Sequence, residues 1–264
     1  MVTVGQNDDL IISERKRAIY VTINRPAKSN AINIDMLLQI RDAMLDLNKR
    51  DDLMVMVLKG TGTKVFSAGV DSKEILALPP KKKMEVYEKL YEIAELSLTT
   101  DKLIITALNG LALGLGCAFC LGSDFRLAVD NPEIYMQLLE VDVGMFPFFV
   151  LSLSFYHFPP AIASKLVFNG EKFYLEDMIK AGFIHSCYSA ENFDRKLKKF
   201  IRSLTRKRPK MLKTTKACLN LERSRLLREI KMEHDFSQIF YSDKDPHDLL
   251  PDVYKKWENK IKKE

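Results

Sequence analysis

No stretch of this 264-residue chain approaches the roughly 18 uninterrupted apolar residues of a membrane span. Residues 1–9 are polar and acidic, with neither the apolar core of a secretory signal nor the arginines of a transit peptide. Residues 261–264 form no peroxisomal address. These absences predict a soluble cytoplasmic protein with no membrane partner. Cysteine is scarce: Cys117, Cys120, Cys187 and Cys218 are all there are. The first two make a C-x-x-C, yet no second pair and no histidine stand nearby, and Ala118, Phe119 and Leu121 around them are apolar. The spacing therefore predicts two buried thiols on a helix rather than a zinc or redox site. The four histidines, His157, His185, His234 and His247, lack metal-ligand spacing, so no metal is expected.

Charge of one sign is also modest, at a formal net +6. Its densest stretch, from Arg195 to Lys216, carries no nucleic-acid motif and reads as a solvated helix face or a contact for a small phosphate-bearing ligand. No nucleic-acid partner is expected. There is no internal repeat and no low-complexity linker.

What is present is a 47% hydrophobic fraction, enough for a sizeable core in one large domain or one domain with an appendage. Residues 10–13 and 18–23 read as paired strands across a charged turn, and Asn24-Arg25-Pro26 ends the second. Asn33 is placed to cap a helix reaching about Asn48, with Met36, Leu37, Ile40, Met44 and Leu47 on one face. A buried strand follows over 54–58. Pro79-Pro80 and Lys81-Lys82-Lys83 read as an exposed break before a helix over 84–98. Strands are expected over 125–129 and 134–137, and helices beyond Pro159 over 161–168, 175–181, 193–204, 209–223 and on to about Tyr241. Strands alternating with helices predict an α/β fold with largely parallel strands, followed by a helical region for packing or oligomerisation.

The stretch from Ile105 to Asp124 organises the rest. An apolar strand breaks at Asn109-Gly110, and after Gly114-Leu115-Gly116 an apolar helix begins. Glycines there let backbone approach a ligand, and the free N–H groups of a helix start favour negative charge. A crowded strand–turn–helix with no ligand fits the same residues.

Three segments together resemble the enoyl-CoA hydratase/isomerase (crotonase) superfamily. They are Asn24-Arg25-Pro26 with Asn30-Ala31-Ile32; Phe66-Ser67-Ala68-Gly69-Val70-Asp71; and Ala107-Leu108-Asn109-Gly110 through Gly114-Leu115-Gly116-Cys117 to Ser123-Asp124-Phe125-Arg126. Lys165-Leu166-Val167-Phe168-Asn169-Gly170 and Ala181-Gly182-Phe183-Ile184 agree, so the resemblance covers nearly the whole chain. It implies a crotonase-like spiral of repeated ββα units over residues 1–190, a helical C-terminal region over 191–264 serving oligomerisation, and a homotrimer or dimer of trimers. It also implies an acyl-CoA substrate, with coenzyme A as part of that substrate and no separate cofactor. Two backbone N–H groups, matched here to Val70 and Leu115, would bond the thioester oxygen as it becomes an enolate, each worth about 2.7–4 kcal/mol. Acyl-CoA contacts match to Lys28, Ala68, Gly69, Val70, Asp71, Leu115, Phe146 and Phe148.

Hydratases of this superfamily use two glutamates. The first position is Ala118, which has no proton to exchange, and the second is Glu140. A single base beside an oxyanion hole implies a Δ3,Δ2-enoyl-CoA isomerase, with Glu140 carrying a proton from C2 to C4. An apolar setting would raise its pKa toward the range such a shuttle needs, and Leu138, Leu139, Val141 and Phe146 are its expected wall. Asp142 is the substitute base, and Asp71 is expected to be structural or helix-capping. Met145-Phe146-Pro147-Phe148-Phe149 stands where hydratases are glycine-rich, and with Glu140 it looks most like the mitochondrial-type isomerase branch. Ser242-Asp243-Lys244-Asp245-Pro246 departs from the superfamily pattern. A hydratase or other acyl-CoA lyase, and a non-catalytic CoA-binding or scaffold protein, are the alternatives.

Overall fold

The computed structural model describes residues 2–4 and 8–241. The departure at Ser242–Pro246, His247 and most of both terminal segments lie outside the described residues. Alternation along residues 18–23 turns Ile19, Val21 and Ile23 into one core and Ala18 and Tyr20 toward another. That strand sits inside a seven-stranded sheet. Its antiparallel edge is β1 (Val2–Val4), β2 (Leu10–Arg15) and β3 (Ala18–Ile23), and β4 (Val55–Gly60), β6 (Leu103–Leu108), β8 (Phe125–Val129) and β11 (Ser186–Tyr188) continue in parallel. A second, four-stranded sheet has the order β10 (Phe173–Tyr174), β9 (Tyr135–Gln137), β7 (Leu111–Leu113), β5 (Val65–Ser67).

Strand pairs β4–β5, β6–β7 and β8–β9 each leave one strand in the large sheet and one in the small, then run into a helix. This is the repeated ββα unit of a spiral, and the α/β fold holds as expected. Two pieces of the small sheet, β5 and β7, are strands that the sequence pattern does not predict. They are three residues each, too short for a period to show.

Helix α1 (Ile34–Lys49) starts as expected, with Asn33 Oδ1 accepting from Met36 N at 2.8 Å. A short α2 (Ser72–Leu76) follows β5. The expected break at Pro79–Lys83 is instead the first turn of α3 (Pro80–Thr99). Proline fits there because an N-terminal helical residue needs no donor and wants φ near −65°. Helix α4 (Leu115–Gly122) is buried throughout. Helix α5 (Val150–His157) was not legible in the sequence. Beyond it lie α6 (Pro160–Asn169), α7 (Leu175–Lys180), α8 (Ala190–Thr205), α9 (Pro209–Glu222) and α10 (Ser224–Phe240).

The large sheet separates two cores. On one face Phe193, Leu197 and Ile201 of α8 pack on Ala18, Val55, Val57, Ile105, Ala107 and Leu127. On the other, α1, α3, α4, α5 and α10 enclose the main core. Cys117 and Cys120 are buried free thiols on α4, as expected, and burial pushes Cys120 up to about 12. No helix among the described residues is long and apolar enough to cross a membrane.

Candidate active site

Two loops meet by backbone contact on the main-core side. The first follows β5. Ile32 donates to Gly69 O at 2.8 Å and accepts from Asp71 N at 2.8 Å. Residues 69 and 71 thus turn toward Ile32, and the N–H of Val70 turns away, as alternate amides do in extended chain. Asn30 staples this loop to its neighbours: Nδ2 donates to Thr61 O (2.9 Å) and Val65 O (2.7 Å), and Oδ1 accepts from Arg25 N (3.0 Å). Ser67 Oγ donates to Asn30 O (3.0 Å) and accepts from Gly69 N (3.1 Å).

The second loop enters α4. Gly114 N donates to Gln137 O at 3.1 Å, and Leu115 is the first helical residue, so its N–H has no intrahelical acceptor. Gly69 (φ +87°) and Gly114 (φ +50°) both have left-handed backbone, and a Cβ on Gly69 would stand 2.8 Å from Leu113 O and 3.0 Å from Leu115 N. Only glycine permits that approach. Among the described residues neither the Val70 N–H nor the Leu115 N–H has an acceptor.

Glu140 lies in the turn after β9. A Cβ on Gly114 would come within 3.1 Å of its Oε1, so the carboxylate rests against the second loop. Its Oε2 is buried without a hydrogen-bond partner. Burial pushes the carboxyl up to about 7, against the opposing pull of the Glu140 and Leu139 N–H groups. A cavity of about 40 Å³ joins the parts: Val70, Leu115, Ala118, Glu140, Phe146 and Phe148 line it, with Met145, Phe149 and Val150. Tyr87 and Leu90 reach it from α3. Ala118 is 1% exposed and brings no polar atom of its side chain.

Not every expected residue arrives. Val141 is 49% exposed and leaves the wall it was expected to form, because the 140–144 turn directs it outward. Asp142 is also exposed, its carboxylate beside Gly170, away from the cavity. Lys28 is exposed on the 3-10 turn Pro26–Lys28 and is not among the cavity residues. Ala68, Gly69 and Asp71 shape the first loop without lining the cavity. Asp71 precedes α2 but makes no side-chain cap; its Oδ2 pairs with Arg25 Nη1 at 3.3 Å.

The sequence reading missed Tyr87, Tyr241 and Glu233. Tyr87 and Tyr241 share a hydroxyl hydrogen bond of 2.7 Å with ring centroids 4.7 Å apart, closing the wall between α3 and the end of α10. Glu233 of α10 is a second buried carboxyl pushed to about 7, but it accepts from Phe149 N and Ser152 N, both at 2.6 Å, and from Ser152 Oγ. Every contact it makes holds the start of α5. Glu140 differs in having an oxygen to spare. A larger concavity, about 740 Å³, lies elsewhere, around Lys59, Asn109, Asp130 and Phe193. Of its polar side chains, Lys59 pairs with Asp194, and Asn109 accepts from Gly60 N and donates to Gly62 O.

Residues 14–249 match the sequence model of the Enoyl-CoA hydratase/isomerase family. The chain belongs to that family. Its relatives include a crotonyl-CoA hydratase of Syntrophomonas wolfei, 26% identical over 217 residues that cover 81% of this chain and 82% of that one. A 2,3-dehydroadipyl-CoA hydratase of Escherichia coli is 26% identical over 194 residues, covering 69% and 70%. An enoyl-CoA hydratase/isomerase structure from Mycobacterium paratuberculosis superimposes with a TM-score of 0.81 at 19% identity, covering 89% of this chain and 94% of that one, a likeness of fold. Family membership makes this an acyl-CoA enzyme. Which reaction it performs is decided by its own side chains.

Proposed function

We propose that the chain is a Δ3,Δ2-enoyl-CoA isomerase in which Glu140 is the only proton carrier. The supporting observation is the single carboxylate that the described residues bring to the cavity, with an unpartnered oxygen, together with two cavity-lining residues whose N–H groups lack acceptors. In this reading the thioester oxygen sits between the Val70 and Leu115 N–H groups. Glu140 removes a proton from C2, the electrons delocalise over oxygen, C2 and C4 as a dienolate, and Glu140 returns the proton at C4. Fixed donors in a dry cavity stabilise the negative charge as it forms. A carboxyl near 7 is better matched to this exchange than an ordinary one. Lys28 is proposed as a contact for the coenzyme A phosphates, Ala68, Gly69 and Asp71 as the loop against the thioester, and Phe146 and Phe148 as the acyl wall. Residues 191–264 are proposed to serve oligomerisation in a homotrimer or dimer of trimers, which sedimentation of the purified chain measures.

Hydration is the second reading, favoured by the names of the hydratase relatives. Against it stands Ala118 where a second glutamate would be needed to handle water. The test is turnover of 3-enoyl-CoA and 2-enoyl-CoA by the wild type and by Glu140→Gln. Isomerisation is expected to fall about 10²–10⁴-fold in the variant, the usual contribution of a general base. Wild-type kcat/KM should climb with pH through about 7 as Glu140 ionises. Robust hydration by the wild type, or an unimpaired variant, would overturn the isomerase.

A further inference from the structure

A cluster of cations lies across the large sheet from Glu140. Ile19 and Val21 of β3 join the core that holds α4, whereas Ala18 and Tyr20 face α8. On that α8 side is a concavity of about 290 Å³ surrounded by Arg15, Lys16, Arg195, Lys198, Lys199 and Arg202. No carboxylate among the described residues lines it. The acids on the flanking elements are engaged elsewhere: Glu14 pairs with Arg50, Asp194 with Lys59, and Glu191 is held by Ser189. These six cations equal in number the formal net charge of the whole chain, +6.

Their arrangement has two walls. Arg195, Lys198, Lys199 and Arg202 fall at i, i+3, i+4 and i+7 on α8, which puts them on one face in a row about 10 Å long. The β2–β3 hairpin supplies Arg15 and Lys16 from the other side. Its turn residues Lys16 (φ 51°) and Arg17 (φ 67°) both hold left-handed backbone, where Asn-Gly is the usual choice. Two long cations occupy a turn that favours short residues, and Lys16 stays at the rim. Like charges facing across a concavity repel unless an anion lies between them. Arginine forks and lysine ammonium groups together suit phosphate oxygens. Tyr20 adds a half-buried ring and hydroxyl to the wall.

We propose that this concavity binds a compact polyphosphate of nucleoside-triphosphate size, at a site separate from the acyl-CoA cavity. Its volume sits at the small end of ligand sites, which favours a compact anion over an extended strand. The large sheet separates this concavity from the cavity that holds Glu140.

The test is calorimetric titration of the full chain with inorganic tripolyphosphate at low salt and again at 0.15 M. One site per chain is expected, weaker at the higher salt because exposed cations are screened over about 8 Å. Lys198→Glu/Arg202→Glu should bind at least about tenfold more weakly, since two reversals at contact distance together exceed 1.4 kcal/mol. The hairpin variant Arg15→Ser/Lys16→Ser should weaken binding as well, and Lys165→Glu on α6 should leave it unchanged. Circular dichroism checks that each variant folds, and enoyl-CoA turnover should be the same in all of them. Undiminished affinity in both multiple variants would overturn the site. So would displacement of tripolyphosphate by free coenzyme A, or binding of single-stranded RNA without any binding of tripolyphosphate.

Discussion

Glu140 and Glu233 are both buried carboxyls pushed to about 7, and their partners separate them. Glu233 has a donor on each oxygen, Phe149 N on Oε2 and Ser152 N and Oγ on Oε1, while Glu140 Oε2 has none. An orphaned buried oxygen costs stability, which a protein retains where the group has work to do. The cost has a sign that can be read against pH. Between the ordinary 4.5 and about 7, the folded chain keeps a proton on Glu140 that the unfolded chain has lost. Stability from this group is therefore full below about 4.5 and declines as pH rises through about 7. Glu140→Gln stays neutral at every pH. Its melting temperature relative to wild type should accordingly be higher at pH 8 than at pH 5, by scanning fluorimetry at both. Equal offsets at the two pH values would mean that Glu140 is not desolvated as described. The sequence offered Glu140 only through the family resemblance, since a glutamate in Leu-Leu-Glu-Val-Asp also reads as a surface residue.

Helix α5 is the element whose placement the sequence concealed. Residues 145–158 are apolar in nearly every position, so no 3.6-residue period marks one face. Its start is fixed by Glu233, 84 residues away from Phe149, and Phe149 itself adopts a left-handed φ of 72°. A helix start needs acceptors for its free N–H groups, and here a distant side chain supplies them. Glu233→Ala leaves those donors buried without acceptors. Unfolding in urea should show a loss of about 3 kcal/mol, the scale of hydrogen bonds to an ionisable partner. Because Phe148 and Phe149 border the cavity, KM for the enoyl-CoA should rise in the same variant. The Tyr87–Tyr241 hydrogen bond closes the same wall from α3 and the end of α10.

At the scale of the molecule, the late helices are tied to the spiral by charge as well as by apolar packing. Asp124 Oδ2 accepts from Ile104 N at 2.9 Å, and Oδ1 pairs with Lys216 of α9 and with Arg223 at 3.2 Å. The Lys216 side chain is only 2% exposed, and burial pushes its pKa down while Asp124 holds it up. Asp124→Asn leaves that ammonium without a counter-charge, so a loss of about 3–5 kcal/mol is expected in urea unfolding. Lys216→Met combined with Asp124→Asn should recover part of it, because the buried ammonium is gone while Arg223 still lacks its carboxylate partner. Ser123-Asp124-Phe125-Arg126 was legible as part of the family resemblance, but nothing local marks Asp124 as the anchor of α9.

The sequence by itself determined the alternation of strands and helices, the Asn33 cap, the two buried thiols and the glycines at which backbone could approach backbone. Each depends on near neighbours along the chain, where period and turn chemistry are local. The tertiary structure decided that Val70 and Leu115, whose N–H groups have no acceptor among the described residues, line one cavity with Glu140, that Val141 and Asp142 turn away from it, and that Tyr87 joins its wall while Tyr241 and Glu233 hold neighbouring parts in place. It also decided which cations face one another across a concavity and which face solvent. Those outcomes depend on which face of the sheet a residue occupies and what another segment brings to that face, a long-range matter that no local pattern encodes.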